Sequence, residues 1–217
     1  MKPQILISYI SEARFGRYKQ ATKNDIRRAE KLYKANLRLA QAFHPLMGIV
    51  EVTLRNMLNN TLCSVFTDND WILNQQNFMD YYLKGEIQKA QNRFTRNSVD
   101  ITSSKIIAEQ TLGFWTNFFE KNIYRNLKGN PIKIFNKLPK GIGRLEIHNR
   151  LDSIRLMRNR INHNEPICFR GNQIDLTEAQ EIYNSISEII TWINPDLFKW
   201  MKDVDRVKEE IDRILKI

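Results

Sequence analysis

The sequence predicts an all-α protein, because signals for helices fill the chain and signals for strands are nearly absent. Its 217 residues include only 8 Gly and 6 Pro, so few positions impose a turn. Apolar side chains recur at helical spacing through most of the chain, and no alternating stretch is long enough to require a strand. With 42% apolar residues, a chain of this length can bury a sizeable core within one domain.

Two helical segments are predicted in the first third of the chain. The spacing of apolar residues predicts a short amphipathic helix over Ser8–Thr22. Helical character then extends over Asn24–Phe66, where Pro45 is expected to break or kink the helix. The part Leu46–Phe66 is apolar on most sides, which predicts a buried helix.

The middle of the chain predicts a basic amphipathic helix over Met79–Arg96, followed by one or two helices over Ser98–Leu127 with an interruption near Gly113. The second segment carries an aromatic cluster of Phe114, Trp115, Phe118 and Phe119. Such residues can stack on RNA bases, but aromatic side chains at helical spacing more often fill a core. We therefore expect these four to pack inside the protein.

The last third predicts three further helical elements after a long helix over Arg144–Asn162. The helix Thr177–Ile193 should begin with a capping box that Gln180 completes. The pair Asn194–Pro195 is typical of the start of another short helix, and Val204–Ile217 predicts a charged terminal helix.

Charge and composition narrow the classes of partner. The chain has 34 Lys and Arg against 24 Asp and Glu, a formal net charge of +10 that attracts polyanions such as nucleic acid. No apolar run approaches the length of a membrane span and no signal-peptide core is evident, so we expect a cytoplasmic protein without membrane contact.

Neither cysteines nor histidines suggest a metal site or a cofactor. Cys63 and Cys168 are far apart and have no second Cys or His at ligand spacing, so we expect both to be reduced and structural. His44 and His148 also have no partner at ligand spacing, and we take them to be incidental. A Gly-rich phosphate loop is missing from the sequence, which disfavours a nucleotide-binding enzyme.

The end of the helix Arg144–Asn162 gathers three kinds of polar group. At 100° per residue, Asn159 and His163 share one face, while Arg158 and Asn162 lie on its flank. The opposite face is a core-facing stripe of Ile154, Met157 and Ile161. A guanidinium, an amide and an imidazole are therefore expected on or near solvent at one helix end.

This grouping suits cleavage of an RNA phosphodiester. A histidine can take the proton from the 2'-hydroxyl or give one to the 5'-oxygen near neutral pH. An arginine offers a planar, permanently charged fork to the oxygens of the transition state. No metal is needed, because the nucleophile already belongs to the substrate.

Three stretches resemble known family motifs in order along the chain. Arg158-x4-His163 resembles the R-x(4–6)-H signature of HEPN ribonucleases, and the run Arg158–Ile167 is similar to R-N-R-I-A-H-H-E-P-I of Abi-like proteins. Glu51–Asn56 resembles the E-v-x-L-R-N helix of that family, and Leu112–Thr116 resembles its F-G-F-W-T element. An isolated R-x4-H is a weak pattern, but three ordered motifs form a specific one.

The resemblance implies a HEPN-type helical bundle with additional N- and C-terminal helices. The chain would be one domain over residues 1–217, with an extension at about 1–43, a HEPN core at about 44–193 and C-terminal helices at about 194–217. It also implies a metal-independent endoribonuclease toxin of abortive-infection phage defence. Such domains usually form homodimers with a composite site, and some relatives are held inactive by an antitoxin protein or RNA.

Carried onto this sequence, the family pattern makes Arg158, Asn159 and His163 the candidate catalytic residues. The supporting or RNA-contact candidates are Glu51, Arg55, Asn56, Arg160, Asn162, Asn164 and Glu165. The chain departs from the family at two of these positions: Asn162 stands where the family usually has Ala, and Asn164 where it often has a second His. The second change removes one possible helper base or RNA contact.

Each assignment has a structural alternative. Arg158 could pair with a carboxylate such as Glu51 and hold helices in register. His163 could be no more than a cation that the helix macrodipole favours. Glu165 could orient His163, and the closeness of the two residues in the sequence is the one observation for this. A basic stripe comprises Lys84, Lys89, Arg93 and Arg96. It could contact a phosphate backbone, or it could be a face that is simply exposed to solvent.

Two other function classes remain open at this point. A non-catalytic RNA-binding or regulatory helical module on the same scaffold would carry the same net charge. A purely protein-interaction helical domain is the third alternative, and it would have no affinity for RNA at physiological salt.

Overall fold

The computed structural model describes residues 3–217, with side chains from residue 5 onward. Within these residues the protein is all-α apart from one small hairpin, which confirms the predicted fold class. The helices are α1 (Pro3–Ile10), α2 (Glu12–Ala21), α3 (Ile26–Phe66), α4 (Trp71–Asn74), α5 (Tyr81–Arg96), α6 (Ser103–Glu109), α7 (Leu112–Thr116), α8 (Lys121–Asn126), α9 (Arg144–Asn162), α10 (Thr177–Ile193), α11 (Pro195–Met201) and α12 (Val207–Leu215). None of the described helices is both long enough and apolar enough to cross a membrane.

The chain divides into two compact units, each built from discontinuous segments. The first unit contains residues up to Met47 together with Leu156–Asn184 and Met201–Ile217. The second unit contains Gly48–Arg155 and Ser185–Trp200. The candidate residues of the R-x4-H run therefore belong to the first unit, and the aromatic cluster belongs to the second.

The core of the first unit centres on Tyr18 of α2. Its ring meets Tyr33 of α3 edge-on at 5.1 Å between centroids and Phe169 at 5.0 Å. Burial of this ring raises the pKa of Tyr18. Phe15 and Leu32 are also fully shielded from solvent, so α2 and α3 share an apolar seam beneath the segment that follows α9.

The core of the second unit is the aromatic cluster that the sequence predicts. Phe114, Trp115 and Phe118 are inaccessible to solvent, and Trp115 stacks on Phe118 at 5.8 Å between centroids. Trp71 meets Phe118 edge-on at 6.0 Å, and its indole N–H donates to Asn59 Oδ1 at 2.8 Å. The predicted core role of this cluster is confirmed.

Helix α3 corrects two expectations. It runs unbroken through Pro45, so the predicted break is wrong. Gln41, whose carbonyl loses its partner, and Pro45 are both exposed, so water can satisfy that carbonyl. The predicted burial of Leu46–Phe66 on all sides is also wrong, because Val52 and Val65 are exposed. Apart from Met47, the buried residues there recur every fourth position, as on an ordinary amphipathic helix: Leu46, Val50, Leu54, Leu58 and Leu62.

Two other predicted helices have different bounds. The predicted helix over Ser8–Thr22 is divided at Ser11, which has φ 77° and whose hydroxyl accepts from the Arg14 N–H at 3.3 Å as the cap of α2. The predicted interruption near Gly113 is found between α6, which ends at Glu109, and α7, which begins at Leu112 and runs through Gly113 itself. A Cβ at Gly113 would lie 3.1 Å from Tyr82 Oη, so this glycine serves a close approach and not a break.

A short hairpin and a different cap lie between α9 and α10. Strands β1 (Phe169–Arg170) and β2 (Gln173–Ile174) pair antiparallel around Gly171, which has φ +61°. Strands of two residues are too short to produce an alternating pattern. The predicted capping box is also replaced, because Asp175 Oδ1 accepts from the Thr177 N–H while the Gln180 amide donates to Asn184.

Candidate functional site

The last turns of α9 present the three faces that the sequence predicts. Ile154, Met157 and Ile161 are all at least 94% buried. Asn159, Asn162 and His163 are exposed, and Arg158 on the flank is half-buried. Because these positions follow from 100° per residue on a straight helix, the candidate catalytic groups reach solvent while the same helix end is anchored in the core.

The backbone closes α9 with a Schellman motif. The Asn164 N–H donates to the Ile161 carbonyl at 2.9 Å, and the Glu165 N–H donates to the Arg160 carbonyl at 2.9 Å. Asn164 takes the left-handed conformation that this motif requires, with φ 55°. Asn tolerates that conformation better than most residues, which gives Asn164 a role in ending the helix. His163 is held between the last helical residue and this turn.

Side chains from α2 hold the segment after the helix. Arg14 Nη1 donates to the Asn164 carbonyl at 3.1 Å. Arg17 Nε donates to the Gly171 carbonyl at 2.9 Å, and its guanidinium lies 5.0 Å above the Phe169 ring. Two arginines one turn apart on α2 therefore fix both ends of the stretch that follows the R-x4-H run.

Helix α3 supplies a third anchor from the core. Asn36 is 97% buried, and its Oδ1 accepts a hydrogen bond from the Ile167 N–H at 2.9 Å. The bond satisfies a backbone donor that would otherwise be buried without a partner. Ile167 and the neighbouring Cys168 are themselves buried, and burial raises the pKa of the Cys168 thiol to about 12. The floor of the candidate site is therefore dry and firmly held.

Arg160 serves as a brace in this structure. Its Nη1 donates to both carboxylate oxygens of Glu178 at 2.6 Å, and its Nη2 donates to the Pro166 carbonyl at 2.9 Å. Glu165 Oε2 lies 3.7 Å from Arg160 Nε, so this carboxylate faces the same guanidinium. The contacts give Arg160 and Glu165 a positioning role between α9 and the start of α10.

The structure groups the candidate residues in two sets. Arg158, Asn159 and His163 lie together at the end of α9 in the first unit, with Asn162 and Asn164 beside them. The other set, on α3 in the second unit, comprises Glu51, Arg55 and Asn56. Arg55 Nε lies 3.5 Å from Asn56 Oδ1, at the long limit of a hydrogen bond. Their supporting or RNA-contact role stays a prediction.

Sequence reasoning missed the anchors of the loop. Arg14 and Arg17 lie within a stretch that was expected only to form a helix, and Asn36 lies among apolar residues of α3. A signal was available for Asn36, because a polar residue at a core position of an amphipathic helix normally has a buried partner. Across residues 5–217, no group of three or more His, Cys, Asp or Glu side chains is placed to hold a metal ion.

Comparison with known proteins gives one match. The sequence matches the family described as Abi-like protein over residues 7–168, which include all three motif stretches and end two residues after Pro166. No curated protein and no solved structure matches the chain.

Proposed function

The chain belongs to the Abi-like protein family, and on that premise we propose that it is a metal-independent endoribonuclease, an RNA-cleaving toxin of abortive-infection defence against phage. Family membership suggests the role in abortive infection. The observation that carries the chemical part is the exposed imidazole of His163, one residue beyond the end of α9 and five residues after Arg158. Both groups sit on a helix end that the surrounding loop contacts hold in place.

The proposed reaction uses the substrate's own hydroxyl. The 2'-oxygen forms a bond to phosphorus as the bond from phosphorus to the 5'-oxygen breaks, leaving a 2',3'-cyclic phosphate and a 5'-hydroxyl. His163 takes the proton from the 2'-hydroxyl or gives one to the departing 5'-oxygen. Arg158 stabilises the charge on the non-bridging oxygens, and the Asn159 amide, on the His163 face, donates to the same phosphate.

A composite site in a homodimer accounts for both proton transfers. Each protomer brings one imidazole to the end of α9, whereas the reaction needs a base and an acid. Leu156, Asn159 and His163 lie at i, i+3 and i+7 on one exposed face of α9, and Leu156 is 50% exposed. An exposed leucine one turn before Asn159 supports a self-complementary contact between two α9 ends.

Cleavage in the presence of EDTA tests the proposal. We expect the purified protein to cut RNA to 2',3'-cyclic phosphate ends, and His163→Ala to lower the rate by roughly 10² to 10⁴-fold. His148→Gln is the matched control, since it alters a histidine outside this helix end and should leave cutting unchanged. Binding of RNA without cutting would leave only a non-catalytic RNA-binding module, and equal cutting by His163→Ala would overturn the assigned chemistry.

Mixed dimers test the composite site. Wild-type protein and His163→Ala are unfolded together in equal amounts and refolded, so that their chains mix at random. If both copies of His163 serve one site, only the dimers with two wild-type chains are active, and the activity per total dimer is about a quarter of wild type. Independent sites would retain about half, which would contradict the shared site but not the cleavage chemistry.

A further inference from the structure

A basic groove lies on the first unit, between α3 and the C-terminal helix α12. It has a volume of about 580 Å³ and is open to solvent. Four basic residues line it: Arg38, His44, Arg206 and Arg213. We call this surface the arginine groove. Glu210 is the carboxylate among the lining residues, so the guanidiniums leave a net positive charge.

The spacing on each helix directs these groups into the groove. Arg206 is the residue directly before α12, and it precedes Glu210 and Arg213 by four and seven positions, so all three line the same side of the groove. On α3, Arg38 and Pro45 are seven residues apart and share a face in the same way. The groove therefore lies between a face of α3 and a face of α12, and its lining includes Val204 and Arg206 from the turn that precedes α12.

Glu210 fixes one arginine and leaves the others open. The Glu210 side chain is buried, and its Oε1 accepts from Arg213 Nη1 at 3.0 Å. Arg206 Nη1 donates to the Asp205 carbonyl at 2.9 Å, which leaves its second terminal nitrogen available. Among residues 5–217, no hydrogen bond or ion pair engages the Arg38 side chain. Arg38 and Arg206 are exposed beside the fixed Arg213, and each can offer a planar fork of donors to phosphate oxygens.

The arginine groove opens on a different side of α3 from the R-x4-H helix end. Asn36 points from α3 to the Ile167 N–H beneath the candidate site. Arg38 is two residues further along, which is about 200° around the helix axis. A ligand that reaches both places has to be extended, as a single strand of RNA is.

We propose that the arginine groove binds phosphates of the RNA strand as a second contact, apart from the atoms that react. The proposal rests on the proposed function, because it takes RNA as the substrate. Each guanidinium that neutralises a phosphate releases a counterion, so the contact strengthens binding at low salt and holds the strand while its scissile phosphate meets His163.

Binding of an RNA that cannot be cut separates this proposal from the chemistry. The probe is a fluorescent 2'-O-methyl oligoribonucleotide, which lacks the nucleophile, and its affinity is measured by anisotropy from about 50 to 200 mM salt. The groove variant is Arg38→Gln/Arg206→Gln. The control is Arg125→Gln/Lys140→Gln, which removes two positive charges from exposed positions of the second unit.

We expect the groove variant to bind roughly tenfold more weakly and to lower the slope of log affinity against log salt by about 1.4, at about 0.7 for each lost phosphate contact on a single strand. The control variant should change neither quantity by a comparable amount. Equal affinities of the two variants, or no binding by the wild type at low salt, would overturn the groove contact. The groove contact would also be overturned if the groove bound adenosine monophosphate but the substitutions left the affinity for RNA unchanged. Cleavage that depends on His163 would stand in each of these cases.

Discussion

The end of α9 and the aromatic cluster of the second unit both come from runs that resemble family motifs, yet solvent reaches only one of them. In α7 the motif residues Phe114 and Trp115 are fully buried. At the end of α9, Asn159 and His163 are exposed and only the apolar stripe behind them is buried. A buried motif is explained by packing, whereas an exposed polar motif on a well-anchored helix needs a reason outside the fold.

The two regions are also held together by different forces. Rings in contact at 4.9 to 6.0 Å hold the aromatic cluster, and their stabilisation scales with the apolar area that they bury. The loop after α9 is held by hydrogen bonds that Arg14, Arg17 and Arg160 donate to backbone carbonyls. A further bond is the one that Asn36 accepts from the Ile167 N–H. Substitutions at the end of α9 should therefore be able to change activity without a matching change in stability. In the aromatic cluster, no such separation is expected.

The largest loss of stability is expected in the aromatic cluster. Trp115→Ala removes a buried indole that contacts Phe114 and Phe118, and we expect it to lower the free energy of unfolding by about 3 to 5 kcal/mol. Urea unfolding followed by circular dichroism measures this change. Trp115→Phe is the control, because it keeps a ring and removes a buried indole N–H that has no partner among the described residues.

Trp115→Phe should therefore cost much less than Trp115→Ala. A loss below about 1 kcal/mol for Trp115→Ala would mean that the cluster is not the stabilising core of the second unit, and the contrast between the two regions would fail.

The next largest effect is expected beneath the candidate site. Asn36→Ala leaves the buried Ile167 N–H without an acceptor, at a cost of about 1 to 3 kcal/mol in unfolding free energy. Because the same bond anchors the loop after His163, the rate of RNA cleavage should fall as well. Lys31→Ala, at an exposed position of the same helix, is the control and should change neither quantity. A destabilised variant with full cleavage would show that this anchor does not position the site.

Local patterns in the sequence were sufficient for some of these features. The bounds of α9 could be predicted closely, as Arg144 to about Asn162, because Gly143 precedes the helix and a turn-forming run with Pro166 follows it. Its three faces followed from helical periodicity, and aromatic spacing predicted the core of the second unit. The site's exposed groups were thus accessible to sequence reasoning, and their proposed chemistry came from the residue types together with the family resemblance.

Contacts between residues far apart in sequence were not accessible in this way. Arg14 and Asn164 are 150 positions apart, and Asn36 and Ile167 are 131 apart. No periodicity links such pairs, since only the tertiary fold brings them together. The arginine groove was missed for the same reason: Arg38 and Arg206 belong to different helices, and a net charge of +10 does not say where the charge is concentrated.

A smaller effect, visible only at high pH, tests whether the floor of the site is dry. Burial raises the pKa of Cys168 to about 12 from a model-compound value of 9.0, so the folded protein keeps the thiol neutral while the unfolded chain ionises it. The contribution of the neutral thiol to the unfolding free energy is complete below pH 9 and is lost as the pH rises towards 12. In that window the unfolding free energy should fall by up to about 1.4 kcal/mol per pH unit from this group.

The measurement compares wild type and Cys168→Ala by urea unfolding at several pH values above 9. The Ala variant lacks the thiol, so its slope against pH should be shallower, while the contribution from Tyr18 is common to both proteins. Identical slopes would indicate that the Cys168 thiol ionises in the folded state, and the loop after α9 would then be less tightly closed than the structure implies.

The smallest effect on stability is expected where the effect on activity is largest. His163 is exposed, and across residues 5–217 no hydrogen bond or ion pair engages its side chain. His163→Ala should therefore leave the unfolding free energy within about 0.5 kcal/mol of wild type while cleavage is lost. The adjacent Asn164 provides a contrast, because its left-handed conformation makes Asn164→Ala cost roughly 1 kcal/mol and makes Asn164→Gly nearly neutral.

Thermal unfolding of the three variants beside wild type, with cleavage measured on the same samples, decides between two roles for this histidine. A stability cost for His163→Ala as large as that for Asn164→Ala would assign His163 to closing the helix. The exposed motif would then have the same structural explanation as the buried one. An unchanged fold together with lost cleavage would leave the chemistry on RNA as the reason that an imidazole stands at the end of α9.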